Sequence, residues 1–227
     1  MKAKDLRWFV AAYCAVLILA LTVRSDEMIG VTVRWSNGGY SYQAGSAPWA
    51  LACAVVGAVL YILLLASRAV ATMRRTPYLF RRWAAGIVDF MWAFVVPIGL
   101  IGFAAVLSEY RRTGIFDWFI ERQQRQPGDI LFGVSVFVVM FVIMPGYFTL
   151  SWWRGKPTPG SCIFGFRIVA DEGTRLNVWK ACLRALLGSM ALLGWPCWIL
   201  AYCLKRDKSA GKFWLDAIFH THAEYFE

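Results

Sequence analysis

The chain has 227 residues, 24 Lys and Arg against 14 Asp and Glu, and a formal charge of +10. Only 17% of residues are charged and 59% are hydrophobic. A soluble domain holds about 25% charged and 45–50% apolar residues, so the composition argues against a soluble enzyme and against a disordered tail.

The apolar residues are clumped. Residues 8–23, 46–66, 90–107, 130–150 and 185–203 contain no Lys, Arg, Asp or Glu. Runs of about 18–20 such residues read as membrane spans. The Lys and Arg gather at the ends of these runs, with no basic stripe between exposed aromatics. The expected partner is therefore a lipid bilayer, not nucleic acid.

Lys2, Lys4 and Arg7 precede the first run, Trp8–Val23, which reads as a retained first span because no clear small-x-small cleavage site follows it. Residues 24–45 are polar. Within them, residues 31–35 and 40–43 flank Ser36-Asn37-Gly38-Gly39, a hairpin signal because Asn-Gly tolerates positive φ. A two-stranded ribbon is marginal alone, so it is expected to pack on the 108–129 loop or on a protein partner. Trp35, Asn37 and Tyr40, together with Trp118 in the 108–129 loop, are the candidate partner-contact residues.

A second span is expected over 46–66 and a third over 83–107, with Asp89 inside the third. Residues 115–120 suggest a short interfacial helix with Trp118 at headgroup level. The fourth span, about 130–150, is expected to be ended by Pro145-Gly146 and the aromatic pair Trp152-Trp153. The last run, 181–203, is interrupted by Gly194-Trp195-Pro196, and each half is too short to cross a ~30 Å core.

Charge sets the orientation. Placing 1–7, 67–82, 151–184 and 204–227 in the cytoplasm puts 18 Lys and Arg inside and 6 outside. A simple fifth span would lower that ratio to 14 against 10. A re-entrant or broken segment is therefore favoured over one kinked span, with both termini cytoplasmic. The expected fold class is an all-α membrane protein: a multi-pass helical bundle of four full spans plus the broken segment. It carries a small outside β-hairpin and a short cytoplasmic β element. Residues 1–75, with the ribbon at 29–43, read as a hairpin placed before a second unit, 76–227.

Asp89 carries the most information. It lies seven residues after Arg82, on the same helix face and about 10 Å further along the axis. An ionised acid at that depth costs on the order of 2.5–3.5 kcal/mol, which implies a partner, a proton or a water-filled cavity. Arg184 is a candidate partner. The site then serves either a cation or proton, or a structural ion pair. Residues 154–160 and 163–169 read as a loop leading into a strand. The loop superficially resembles a phosphate-binding loop, but no Gly-Lys-Ser/Thr closes it and a nucleotide site is rejected. Asp216 is a lone acid in an apolar tail, expected to pair with Arg167 or Arg184 or to cap a helix. His220 and His222 have no evident third ligand, so no metal is expected. The six cysteines lack C-x-x-C spacing, and no disulfide framework is expected. No nucleophile–base pair is present, so neither an enzyme nor a cofactor is expected.

These landmarks resemble the RDD family of membrane proteins, named for one arginine and two aspartates. The resemblance rests on Arg81-Arg82-Trp83-Ala84-Ala85-Gly86-Ile87-Val88-Asp89, on Gly155 to Gly160 with Gly165-Phe166-Arg167-Ile168-Val169, on Arg184, and on Leu215-Asp216 to Thr221. It covers roughly residues 78–225. It implies that Arg82, Asp89 and Asp216 are signature residues, and that Gly155, Thr158, Pro159 and Gly160 form a characteristic cytoplasmic loop. Ser161 stands where the family usually has lysine, and Leu215 where it has histidine, so those two family residues have no counterpart here. The resemblance also implies a bacterial inner membrane and transport of a small ion or ligand. So small a conduit points to a homo-oligomer. The alternative is a non-enzymatic partner-binding protein (a complex subunit, assembly factor or immunity-like protein) that uses its outside loops.

Overall fold

A computed structural model describes residues 2–23, 30–36, 39–45, 47–68, 71–73, 77, 79–123, 129–193 and 214–226. Its elements in chain order are α1 (Ala3–Val23), β1 (Gly30–Ser36), β2 (Gly39–Gly45), α2 (Pro48–Ala66), β3 (Ala71–Met73) and α3 (Leu79–Thr113). Then follow β4 (Phe119–Arg122), α4 (Asp129–Trp153), α5 (Pro159–Phe164), β5 (Phe166–Ala170), α6 (Val178–Leu193), α7 (Trp214–Phe219) and β6 (Thr221–Phe226).

Among the described residues, three helices are long and apolar enough to cross a membrane: α1, α2 and α3 from Phe80, with mean hydropathy 2.1, 2.5 and 2.3. Only 22% of the most apolar stretch of α1 and of α2 is buried against protein. Trp8, Phe9 and Leu19 on α1 and Ile62 on α2 are more than 60% exposed. Apolar helices that leave such side chains uncovered are suited to lipid, where exposed apolar surface carries no penalty.

Two prolines lie inside long helices. Both α3 and α4 run through their prolines, Pro97 and Pro145; α4 is not broken at Pro145-Gly146 and ends at Trp153, in the expected aromatic pair. Each proline leaves the carbonyl four residues before it without an N–H partner, a loss that apolar helices tolerate. One turn further on, the Thr149 hydroxyl donates to the Pro145 carbonyl at 2.7 Å.

The chain divides into two compact units. One comprises Ala15–Val59 and Ala93–Ile143. Here β1 pairs antiparallel with β2, from Gly30↔Gly45 to Ser36↔Gly39, with Trp35 opposite Tyr40. Asn37 and Gly38 of the expected turn lie outside the described residues. The ribbon gains a third strand from the 108–129 loop, β4, which pairs with β2 from Tyr42↔Arg122 to Gly45↔Phe119. The expected interfacial helix over 115–120 is therefore replaced by a turn and a strand. The open edge of β2 captures this segment, and the Asp117 carboxylate accepts from the Phe119 N–H at 3.1 Å to start the strand. Trp118 is half-buried and stacks on Phe103 at 5.9 Å. In the same unit α2 and α3 meet through small residues. A Cβ on Gly99 would lie 2.7 Å from the Ala54 Cβ and 3.2 Å from the Ala50 carbonyl oxygen. Small residues of this kind let apolar helices approach closely.

The other unit comprises Met1–Cys14, Leu60–Trp92 and Met144–Glu227. Its sheet has the order β3-β6-β5, all antiparallel, with Arg167 opposite Glu224. The expected loop-then-strand at 154–169 contains a short helix, α5, before β5. Thr158 caps α5 with extended backbone (φ −73°, ψ 161°), and its side chain accepts from the Ser161 N–H. Proline at the first helical position costs no hydrogen bond, so Thr158-Pro159 starts a helix instead of prolonging a loop. The first half of the last apolar run forms α6. The Gly194-Trp195-Pro196 break, and with it the choice between re-entrant and kinked, lies outside the described residues.

Candidate functional site

Three charge clusters lie in the second of these units. In the first, Asp89 on α3 is only 3% exposed. Its Oδ1 accepts from the Tyr147 hydroxyl at 2.8 Å and the Gly160 N–H at 2.7 Å, and its Oδ2 accepts from the Thr158 hydroxyl at 2.6 Å. The Ser161 hydroxyl extends this cluster, 2.9 Å from Thr158 Oγ1, and donates to the Thr158 carbonyl at 3.0 Å. Tyr147 is held in turn. Its ring stacks on Tyr61 at 4.7 Å, and its carbonyl accepts from the hydroxyls of Tyr61 at 2.7 Å and Ser151 at 3.1 Å.

The sequence Thr158-Pro159-Gly160 is explained by this contact. Thr158 caps α5 and also reaches Asp89, Pro159 sets the first turn, and Gly160 presents a bare N–H to the carboxylate. A Cβ on Gly160 would overlap the Ala85 carbonyl and lie 2.9 Å from the Asp89 carboxyl carbon. Gly160→Ala is therefore expected to destabilise the chain by about 1–3 kcal/mol through overpacking. Unfolding midpoints in mixed detergent micelles would read this loss, and Gly146→Ala, which meets open space, serves as the control.

The second cluster joins Arg82 on α3, Arg184 on α6, Asp216 on α7 and Thr221 on β6. Arg82 grips the Asp216 carboxylate with both terminal nitrogens, at 2.5 and 2.9 Å. Arg184 donates to Asp216 Oδ1 at 2.8 Å and to the Thr221 hydroxyl at 2.7 Å. The Arg184 guanidinium lies 5.1 Å over the Trp152 ring, an arrangement that stabilises a cation. Side-chain exposure is 8% for Arg82, 2% for Arg184 and 1% for Asp216.

The expected Asp89–Arg184 pair does not form. Asp216, the acid on α7, takes both arginines, while Asp89 is met by neutral donors from α4 and α5. Of the two partners expected for Asp216, Arg184 is correct and Arg167 is not. Arg167 pairs instead with Glu224 across the β5–β6 ladder, at 2.6 and 2.7 Å. Sequence reasoning also missed Tyr147 and Thr221. The only signal for either was a hydroxyl in or beside an apolar run, which many unrelated residues share. His222 lies 3.4 Å from Asp171, and no group of three metal-ligating side chains occurs among the described residues.

The third cluster is a pocket of about 290 Å³ lined by Arg68, Arg154, Gly155, Lys156, Arg167 and Arg175, with Val169, Gly173 and Thr174. Lys156 donates to the Ser67 carbonyl, and burial together with the surrounding arginines holds its ammonium below the usual lysine range.

Apolar helices with faces suited to lipid, and charges buried in two hydrogen-bonded clusters, define an integral membrane protein. The sequence pattern of the RDD family matches residues 76–218. The chain belongs to the RDD family. No curated protein and no solved structure matches it.

Proposed function

We propose that this RDD-family protein moves a small cation or proton across its membrane, with Asp89 as the ionisable centre. One observation carries the reading. Asp89 is buried and receives three neutral hydrogen bonds, but no Lys or Arg among the described residues forms an ion pair with it. A buried carboxylate without a countercharge is costly, and binding a proton or cation neutralises it. The Arg82–Asp216–Arg184 cluster holds two cations and one anion and serves as the clamp beside it. In this reading α4 is a fourth span, both termini lie on the cytoplasmic side of a bacterial inner membrane, and copies of the chain assemble around the conduit.

The test is cation and proton flux in proteoliposomes. Wild type is expected to carry flux, and Asp89→Asn at matched insertion is expected to abolish it. Unchanged flux in the variant, or none in wild type with the common cations, would overturn the reading.

A second reading is partner binding through the β1-β2-β4 sheet. It is favoured by Ile115 and Phe116 just before β4 and Phe119 within it, which are 72%, 45% and 46% exposed. Photo-crosslinking from position 116 in cells should then give one defined adduct that is lost when residues 30–43 are deleted.

A further inference from the structure

We propose that the pocket between β5 and the α4–α5 loop is an anion site that takes a phosphate group, either from a soluble phosphate or from a phospholipid headgroup. Five of its nine lining residues are Arg or Lys, and none is acidic. Glu224 engages Arg167 from the neighbouring strand. Arg68, Arg154, Lys156 and Arg175 form no ion pair with any carboxylate among the described residues. Four uncompensated cations around one cavity repel each other, and an anion reverses the sign of that interaction.

The fold fixes the backbone that carries these cations. The Arg68 carbonyl accepts from the Ala3 N–H at 3.0 Å. Arg154, Gly155 and Lys156 continue the end of α4 through bonds to Leu150, Trp152 and Ser151. The Arg175 stem follows a turn closed by Ala170 N–H to Thr174 carbonyl at 3.1 Å and Gly173 N–H to Ala170 carbonyl at 2.8 Å. Arg167 donates to the Gly155 carbonyl at 3.3 Å, which ties β5 to the loop. Guanidinium forks gathered on ordered backbone suit the tetrahedral oxygens of phosphate. The cavity holds roughly ten water volumes, enough for one or two phosphate groups. The segment Arg154-Gly155-Lys156 lacks the backbone cradle of a nucleotide-binding loop. Its side chains nonetheless meet others from three further segments around one space. The site is independent of Asp89, so failure of the flux experiment leaves it standing.

The test uses the full chain purified in neutral detergent, titrated calorimetrically with pyrophosphate at fixed ionic strength. Wild type is expected to bind. The double variant Arg154→Gln, Arg175→Gln is expected to bind at least tenfold more weakly at an unchanged melting temperature, since both side chains are exposed. Thr174→Glu, which adds a carboxylate to the lining and removes no cation, is expected to produce the same loss. Nanodiscs of phosphatidylcholine with and without phosphatidic acid separate the two sources. Pyrophosphate binding that persists in both assigns the site to a soluble phosphate. Binding blocked by phosphatidic acid in wild type, together with loss of retained phosphatidic acid in the double variant, assigns it to a lipid headgroup. If wild type takes up neither pyrophosphate nor phosphatidic acid, or if the variants bind as wild type does, the proposal is overturned.

Discussion

Asp216→Asn is expected to destabilise the protein by about 3–5 kcal/mol, the range for breaking a buried ion pair from one side. The substitution keeps the shape of the side chain and removes only its charge. Two guanidinium groups, on Arg82 and Arg184, are then left facing each other with almost no access to water. Asparagine can accept one of their hydrogen bonds, but it turns an amide toward the other arginine, which has no acceptor of its own. The measurement is the unfolding midpoint in mixed micelles, with Asp117→Asn in an exposed loop as the reference. A cycle with Arg82→Gln gives the decisive comparison. The double variant should lose less than the sum of the single losses, because removing one arginine relieves the repulsion that removing the aspartate creates. Additive losses would mean that the three charges do not act as one clamp.

How much of this clamp could be read in advance depended on chain distance. The four long helices were legible because each has a long apolar run, and their bounds shifted by a turn or so at α1 and α4 and by turns added at both ends of α3. The β1–β2 ribbon was legible because Asn37-Gly38 marks its turn locally. The partner exchange was not. Asp89 and Arg184 are 95 positions apart, and nothing in either neighbourhood says that Asp216 takes both Arg82 and Arg184. Pairings between distant charges are decided by which helix ends the fold brings together, and those are set by packing of apolar faces with no charge pattern of their own. The 115–120 segment was misread for a related reason. Its aromatic content fits an interfacial helix as well as an edge strand, and the open edge of β2 decides between them. The loop 154–160 was legible in composition, but the helix it starts is six residues long. A helix that short has no periodicity to detect, and its stability comes from Thr158 and from Asp89.

The same contact supplies the second large effect. Asp89→Ala is expected to cost on the order of 3 kcal/mol or more, while Asp89→Asn should cost far less. Alanine leaves three donors without an acceptor. The hydroxyls of Tyr147 and Thr158 can rotate, but the Gly160 N–H is fixed at the start of α5 and has nowhere else to turn. A buried backbone donor left unsatisfied costs about 1–3 kcal/mol by itself, and the volume vacated between α3 and α5 adds to it. Asparagine keeps an oxygen where Gly160 and Tyr147 donate. It places its amide toward Thr158, whose hydroxyl can reverse from donor to acceptor. The pair of variants therefore separates two roles that one aspartate combines. Midpoints of unfolding should fall in the order wild type, Asn, Ala. Flux, if the carboxylate is the ion-binding group, should be lost in both variants, because neither offers an ionisable oxygen. Asn that folds like wild type yet carries no flux would assign the charge to transport and the hydrogen bonds to structure. Asn that folds and conducts like wild type would leave Asp89 only its role as the acceptor that seats α5 on α3.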